Sequence, residues 1–335
     1  MLENVKIILL LKSNEGEEEI MFFKQKKYAE ETEKNRKKNS TEKKPNVFSM
    51  SIIGLLGTFV PTRFLMRMHK QRIKDVSITQ VSNPALKQVP IIYIHGFRGG
   101  DYTTNVMVQK TASLKSNSTY LKVTVDLFNN FEISGTWTND EHPIVQLVFK
   151  QKIVGVYAIS YMQRLALKFL KKRYHFETYN AVAHSLGAPA LVKTEMYTHN
   201  RKSFPHLNRY VSIAGPFDGV MYLGDIPNIN RLTPNGRPLL MTWSYVGMLM
   251  RRHHFNSKIA VLNVYGNVMD ETNSDKFISV TSAKSIRYIL APIVSLYEEI
   301  EIRGTEGEHS LMHDNLLVIK IINQFLELYP SHPSD

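Results

Sequence analysis

Residues 179–192 read YNAVAHSLGAPALV, and this stretch decides the fold. Its first residues form a short, mostly apolar run typical of a buried strand, and the run after Gly187 is typical of a helix. Ser185 stands at the junction, with the small residues Ala183 and Gly187 two positions before and after it. A sharp strand-to-helix turn of this kind presents a serine hydroxyl at the edge of a parallel sheet. We therefore interpret Ser185 as a candidate nucleophile, with a chance serine in an ordinary turn as the alternative.

The pattern on either side of this stretch alternates between strand and helix, which favours an α/β fold with a mainly parallel sheet and helices on both faces. Short apolar runs predict strands at 89–94, 120–127, 179–183, 210–214 and 259–265. Helical spacing of apolar residues predicts helices at 151–173, 187–198, 282–290 and 314–328. Residues 216–256 have no clear period and are rich in Pro, Gly, Met and Arg. We interpret them as a cap inserted over a site, or as a long connection with two short helices.

A glycine-rich turn, HGFRGG at residues 95–100, directly follows the first predicted strand. An oxyanion hole needs two backbone N–H groups directed at a developing negative charge. The N–H groups of Phe97 and of Leu186, which follows Ser185, are the candidate donors. Glycines that serve turn geometry alone are the alternative, and the GxxxxGK[ST] pattern of a phosphate loop is absent from the sequence.

A carboxylate and a histidine that could activate the serine lie further along the chain. Asp275 follows the predicted strand 259–265, with Asp270 as a nearby competitor. His309 and His313 both precede the last predicted helix, and either could be the general base. The chain order Ser, Asp, His is the order used by α/β hydrolases.

Five separated segments within residues 88–330 resemble an α/β-hydrolase family of Gram-positive bacteria whose members are called "cell-surface hydrolases" and are lipase- or esterase-like. The resemblance implies that Ser185 is the nucleophile, Asp275 the acid and His309, rather than His313, the base. The sequence departs from the family pattern where Ala188 and Lys276 stand in place of the usual glycine, and the leucine and methionine of the C-terminal motif (Leu311 and Met312) are shifted. The segments are VPIIYIHGFRGG, AVAHSLGAPALV, YVSIAGPFDG, LNVYGNVMDETNSDKFISVTSAKSIRYIL and EHSLMHDNLLVIKIINQFL.

These motifs predict a serine hydrolase that cleaves carboxylic esters through an acyl-enzyme, with no cofactor and no metal. The expected partner is a small-molecule or lipid-like ester. The alternative function is a catalytically silent α/β hydrolase that acts as a membrane-proximal binding module. Nucleic acid is not an expected partner, since the chain has none of the common nucleic-acid-binding motifs. The sequence contains no cysteine, which excludes disulfide scaffolds, thiolate zinc sites and a cysteine nucleophile.

The chain has 335 residues and a net charge of +12, and its first 75 residues hold 16 basic and 10 acidic side chains. We expect two parts: a basic, largely polar arm at 1–74 and an α/β-hydrolase domain at 75–335. Within the arm, residues 47–60 (VFSMSIIGLLGTFV) are apolar and resemble a signal or a short membrane anchor, with a helix packed on the domain as the alternative. The arm could contact a membrane surface, and Met21 could be the true start. A secreted, cell-surface or membrane-anchored protein is therefore expected.

Overall fold

The computed structural model describes residues 5–8, 71–80, 86–115 and 118–328. The apolar segment 47–60, the alternative start at Met21 and nearly all of the expected arm lie outside the described residues. The expected domain boundary after residue 74 falls inside the second strand, which begins at Ile73. No helix in the described part of the chain is long and apolar enough to cross a membrane.

Within the described residues, a ten-stranded sheet forms the centre of the fold, in the order β1-β12-β11-β8-β7-β3-β6-β4-β5-β2. Neighbouring strands are parallel except β4 and β5, which pair antiparallel. This arrangement confirms the predicted α/β class. The strands are β1 (Val5–Ile8), β2 (Ile73–Gln80), β3 (Ile91–Ile94), β4 (Leu121–Val125), β5 (Phe131–Trp137), β6 (Ile144–Phe149), β7 (Thr178–His184), β8 (His206–Ile213), β11 (Ala260–Asn267) and β12 (Leu296–Arg303).

Helices cover both faces of the sheet, and a separate two-stranded ribbon, β9 (Val220–Met221) and β10 (Gly224–Asp225), lies outside it. The predicted helix 187–198 is confirmed at its stated bounds. The predicted helix 282–290 is wrong as a single element, because the chain forms two short helices that meet at Ser285. The helices are α1 (Asp101–Ala112), α2 (Val156–Tyr174), α3 (Gly187–Thr198), α4 (Trp243–Met250), α5 (Val280–Lys284), α6 (Ile286–Leu290) and α7 (Leu316–Phe325), with 3-10 turns at Arg252–His254 and Thr305–Gly307.

Strand β3 explains why the site lies at the middle of the sheet. All four of its residues are at most 1% exposed, so both of its faces are buried, as its continuous apolar sequence predicts. Ile92 and Ile94 pack on the side of α2 and α3, whereas Ile91 and Tyr93 pack on the side of α1 and α7. The carboxyl ends of β3 and its neighbour β7 therefore emerge side by side at one edge of a rigid core.

Residues 216–256, which we call the cap, combine the ribbon with α4 and are held together by one buried carboxylate. Asp218 is fully buried, and its carboxylate accepts hydrogen bonds from the Thr242 N–H at 2.7 Å and the Asn230 side-chain amide at 3.1 Å. Burial raises the pKa of Asp218 to about 6. Asn230 also bonds both backbone groups of Leu240, which links the two halves of the cap.

Candidate active site

The turn between β7 and α3 holds Ser185 in a left-handed backbone conformation, with φ at 53°. Such a conformation is unfavourable for a residue with a side chain and is retained where the surrounding structure enforces it. The Ser185 N–H donates to the Ile213 carbonyl at 2.9 Å, which ties the turn to β8. The turn also requires glycine two positions after the serine, since a Cβ on Gly187 would lie 2.6 Å from the His95 carbonyl oxygen. The predicted strand–serine–helix turn is thus present at the carboxyl edge of the sheet.

Three side chains predicted from separate parts of the sequence meet at this turn. The His309 Nε2 lies 3.1 Å from the Ser185 Oγ, and its Nδ1 lies 2.8 Å from the Asp275 Oδ2. Asp275 is 1% exposed, so the pair of hydrogen bonds runs from a buried carboxylate through an imidazole to a hydroxyl. An arrangement of this kind can move a proton from the hydroxyl to the imidazole while the carboxylate holds the ring in place.

The loop that carries Asp275 fixes its carboxylate with backbone donors. The Oδ1 accepts the N–H groups of Phe277 at 2.9 Å and Ile278 at 2.6 Å, which leaves the Oδ2 directed at His309. The His309 N–H in turn donates to the Asp275 backbone carbonyl at 3.0 Å. The acid loop and the histidine loop are therefore joined through both main chain and side chain.

The two alternative site residues lie elsewhere. The His313 Nδ1 pairs with the neighbouring Asp314 carboxylate at 2.8 Å instead of with Asp275. Asp270 is exposed, and its carboxylate is bonded to the backbone and hydroxyl of Thr272. The structure thus places His309 and Asp275, and neither alternative, in the hydrogen-bond chain with Ser185.

His184 contacts the backbone and the ring of His309. Its Nε2 lies 3.2 Å from the His309 backbone carbonyl, and its ring centroid lies 4.9 Å from that of His309 and 5.1 Å from that of His313. Burial, with the two neighbouring histidines, holds the pKa of His184 well below its ordinary value. A neutral ring can donate one hydrogen bond to the carbonyl through Nε2 without adding a positive charge beside His309.

The glycine-rich turn after β3 lies against the serine turn. A Cβ on Gly96 would lie 2.7 Å from the Leu186 nitrogen and 2.9 Å from the Ser185 Cβ, so the two turns are in direct contact. Within the described residues, the N–H groups of Phe97 and Leu186 have no backbone or side-chain acceptor. Both predicted donors are therefore unengaged, on backbone segments that are in contact beside Ser185.

His95 has a structural role in the site that the sequence motifs did not indicate. It is fully buried; its Nε2 accepts the Phe149 N–H at 2.9 Å and its Nδ1 donates to the Gly96 carbonyl at 2.9 Å. Burial lowers the pKa of His95 to about 4, which keeps the ring neutral and able to make both bonds. Its position directly after a buried strand, before the glycine-rich turn, is the signal that could have identified it.

No group of three or more His, Asp or Glu side chains that could hold a metal ion occurs in the described parts of the chain. The two buried carboxylates of the cap are engaged by neutral groups, Asp218 by Thr242 and Asn230, and Asp225 by the Ser279 hydroxyl.

Comparison with known proteins identifies a matching family, and two of the solved structures with the same fold have TM-scores above 0.6. The family model described as "Alpha/beta hydrolase of unknown function (DUF915)" matches residues 79–328. The product of gene lin2722 of Listeria innocua is 23% identical, with a TM-score of 0.64, over 73% of this chain and 96% of that one. A protein of Lactobacillus plantarum WCFS1, named a "putative cell surface hydrolase", is 20% identical, with a TM-score of 0.61, over 74% of this chain and 95% of that one. No curated protein matches the sequence.

Proposed function

The chain belongs to the α/β-hydrolase family of unknown function whose model matches residues 79–328, and from this premise we propose that it is a serine hydrolase that cleaves carboxylic esters. The observation that carries the proposal is the pair of hydrogen bonds made by His309, at 3.1 Å to the Ser185 hydroxyl and at 2.8 Å to the Asp275 carboxylate. A serine hydroxyl is a weak nucleophile unless a neighbouring base removes its proton, and this geometry supplies that base.

In the proposed reaction, the Ser185 Oγ attacks the ester carbonyl carbon while its proton passes to the His309 Nε2. The tetrahedral intermediate collapses when His309 returns this proton to the leaving alkoxide, which departs as an alcohol and leaves an acyl-enzyme. Water then attacks the acyl carbon, with His309 again as the base, and the carboxylic acid is released. Asp275 orients the imidazole and stabilises its positive charge in both steps.

The negative charge that develops on the carbonyl oxygen needs hydrogen-bond donors that are already in position. In this proposal the N–H groups of Phe97 and Leu186 are those donors. Removal of one comparable donor costs about 3 kcal/mol of transition-state stabilisation in serine hydrolases. The contact between Gly96 and the serine turn supports the assignment, because it holds the two N–H groups on neighbouring backbone segments.

An apolar ester fits the surroundings of the serine better than a highly charged one. Phe277, whose ring centroid lies 5.4 Å from that of His309, is 52% exposed, and Phe97 and Leu311 are also exposed. Burying these side chains against an apolar acyl or alkyl group would be favourable, at roughly 25 cal/mol per Å². We therefore include esters of moderate chain length in the proposal.

Hydrolysis of p-nitrophenyl acetate, butyrate and octanoate by the full chain tests the proposal. We expect turnover of at least one ester, with a preference for butyrate or octanoate, and a loss of at least about 10⁴-fold in kcat/KM in Ser185→Ala. Equal activity of Ser185→Ala would contradict the assignment of the nucleophile. A folded wild type that hydrolyses none of the esters would favour the silent binding module instead.

A location at the cell surface is part of the proposal and is supported by the apolar segment 47–60 with its basic flanks. Fractionation of cells that express the full chain should recover the protein in the envelope or the medium. Recovery only in the cytosol would refute this part while leaving the proposed chemistry untouched.

A further inference from the structure

The surface of the cap is unusual, because many of its large apolar side chains face solvent. Trp243 is 90% exposed, Tyr222 78%, Leu223 77% and Met250 72%. Contiguous exposed apolar surface of this kind marks an interaction site in a soluble protein. Ile226, Ile229, Leu239 and Leu240 are exposed as well.

The exposed side chains of the 222–223 turn and of the start of α4 lie close together. Tyr222 and Leu223 form the tip of a tight turn, in which the Leu223 N–H donates to the Val220 carbonyl at 2.8 Å. The next residue, Gly224, lies against Thr242, since a Cβ on it would be 3.0 Å from the Thr242 Cγ2. Thr242 directly precedes Trp243, so the turn tip and the start of α4 present their apolar side chains together.

This surface is held rigidly by the core beneath it. Tyr245 and Met248, on the inner side of α4, are fully buried, and the Tyr245 hydroxyl donates to the Ser285 carbonyl at 3.0 Å. The Lys193 ammonium of α3 donates to the Ser244 carbonyl at 3.0 Å. The outward direction of Trp243 is therefore set by packing and does not arise from a loose helix.

The charges on the cap indicate what this surface binds. Its two carboxylates, Asp218 and Asp225, are buried, whereas all four of its arginines are exposed. The solvent-facing charges of the cap are thus positive, and they occur in the same segment as its exposed apolar and aromatic side chains. An anionic lipid surface complements both features, because its phosphates attract arginine and its interfacial region accommodates tryptophan and tyrosine. The arginines are Arg231, Arg237, Arg251 and Arg252.

We propose that the cap docks the protein onto an anionic lipid membrane, with the Trp243 and Leu223 side chains entering the interface and the cap arginines contacting lipid phosphates. The same surface adjoins the candidate active site, because the Met221 N–H donates to the Phe277 carbonyl at 3.0 Å. Docking would therefore bring Ser185 close to the lipid surface. The inference goes beyond the proposed esterase activity and does not require it.

The two tryptophans of the chain provide a direct reporter of docking. Trp137 is buried, and its indole is stacked on Tyr174 at a centroid distance of 3.9 Å, so Trp243 is the exposed fluorophore. We would add vesicles of phosphatidylcholine, or of phosphatidylcholine with 30% phosphatidylglycerol, to full-length Ser185→Ala, which prevents lipid hydrolysis if the proposed nucleophile is correct. Trp243→Phe in the same background gives the signal of Trp137 alone. The emission spectrum of Ser185→Ala minus that of the Trp243→Phe variant is the emission of Trp243. We expect the maximum of this difference spectrum to shift to shorter wavelength with the anionic vesicles only.

Co-sedimentation with the same vesicles measures the affinity. Trp243→Ser/Leu223→Ser should lower the partition coefficient at least about tenfold. Arg231→Gln/Arg237→Gln should lower it about 25-fold, from about fivefold for each arginine at an anionic surface. The controls are Leu114→Ser/Leu317→Ser and Lys202→Gln/Lys258→Gln, which remove exposed side chains outside the cap and should change the partition coefficient less than twofold.

The proposal is overturned if both cap variants have the partition coefficient of the wild type, or if the protein binds the vesicles with no shift of Trp243 emission. Either result would place the contact elsewhere, such as in the basic residues 1–74. Absence of binding to anionic vesicles would also overturn it. The cap variants should still hydrolyse soluble p-nitrophenyl esters, so failure of docking and failure of the proposed chemistry are distinguishable.

Discussion

Gly96 lies so close to Leu186 that a single Cβ on it would come within 2.7 Å of the Leu186 nitrogen. The two residues are 90 positions apart in the chain and belong to different turns, one after β3 and the other after β7. Their contact sets the separation of the two N–H groups that we assign to the oxyanion hole.

Gly96→Ala should therefore impair hydrolysis, because the atoms in its way, two backbone atoms and the Ser185 Cβ, cannot move aside without shifting the serine turn. We expect kcat to fall at least about tenfold, with the melting temperature lowered. Steady-state kinetics and thermal unfolding would measure the two effects. Gly247→Ala is the matched control, since the nearest atom to its added Cβ is 3.9 Å away and alanine favours the helix in which it lies. Unimpaired catalysis by Gly96→Ala would contradict the assigned geometry.

His309 and His313 should differ sharply in their effect on catalysis. His309→Asn removes the proposed base, whose Nε2 lies 3.1 Å from the Ser185 Oγ, and we expect kcat to fall at least about 10⁴-fold. His313→Asn should stay within about tenfold of the wild type, because its ring pairs with Asp314. Parallel measurement of ester hydrolysis by the two variants checks this. A larger loss of kcat in His313→Asn than in His309→Asn would show that the assignment of His309 as the base is wrong.

Asp275→Asn tests the role of the buried carboxylate while preserving its shape. The new amide oxygen can still accept the Phe277 and Ile278 N–H groups, but its NH₂ group would face the His309 Nδ1 and favour the wrong tautomer. We expect a fall of about 10⁴-fold in kcat with a melting temperature near that of the wild type. Asp270→Asn, at an exposed carboxylate, should have little effect on kcat, and similar losses in both variants would argue against the assignment.

His95 should make the folded state sensitive to acid. Its pKa falls from 6.5 to about 4 on folding because the ring is buried, so the unfolded chain binds a proton over this range while the folded chain does not. The stabilisation is present above pH 6.5 and is lost as the pH falls from about 6.5 to about 4, with a slope of up to about 1.4 kcal/mol per pH unit. Denaturant unfolding of the wild type and His95→Asn should give free energies whose difference shrinks over this range. The exposed His253→Gln is the control, and a constant difference for His95→Asn would refute the prediction.

Four of the five strands that the sequence predicted, β3, β7, β8 and β11, are buried along most of their length, whereas β4 was predicted from its alternating pattern. β3, β7, β8 and β11 have continuous apolar runs, which need no knowledge of their neighbours to be recognised. β12 was missed because its sequence, LYEEIEIR, reads as polar. One of its acids, Glu299, is nevertheless buried, where it accepts a hydrogen bond from the Tyr297 hydroxyl at 2.9 Å. That partner is visible only once the strand is folded.

The candidate site divides in the same way. The types and order of Ser185, Asp275 and His309 follow from local motifs and chain order, so sequence reasoning could bring them together. The choice between His309 and His313 depends on how an irregular loop is held, here by the hydrogen bond from the His309 N–H to the Asp275 carbonyl. The two histidines are four residues apart in an irregular loop, and a loop has no periodicity from which that contact could be inferred.

Reaction with a fluorophosphonate is the most direct test of the central claim, that His309 and Asp275 activate Ser185. Intact-mass spectrometry of the full chain should show one covalent adduct, which peptide mapping places on Ser185, and no adduct on Ser185→Ala. A folded wild type that forms no adduct, or a Ser185→Ala variant that is labelled as fast as the wild type, would contradict it.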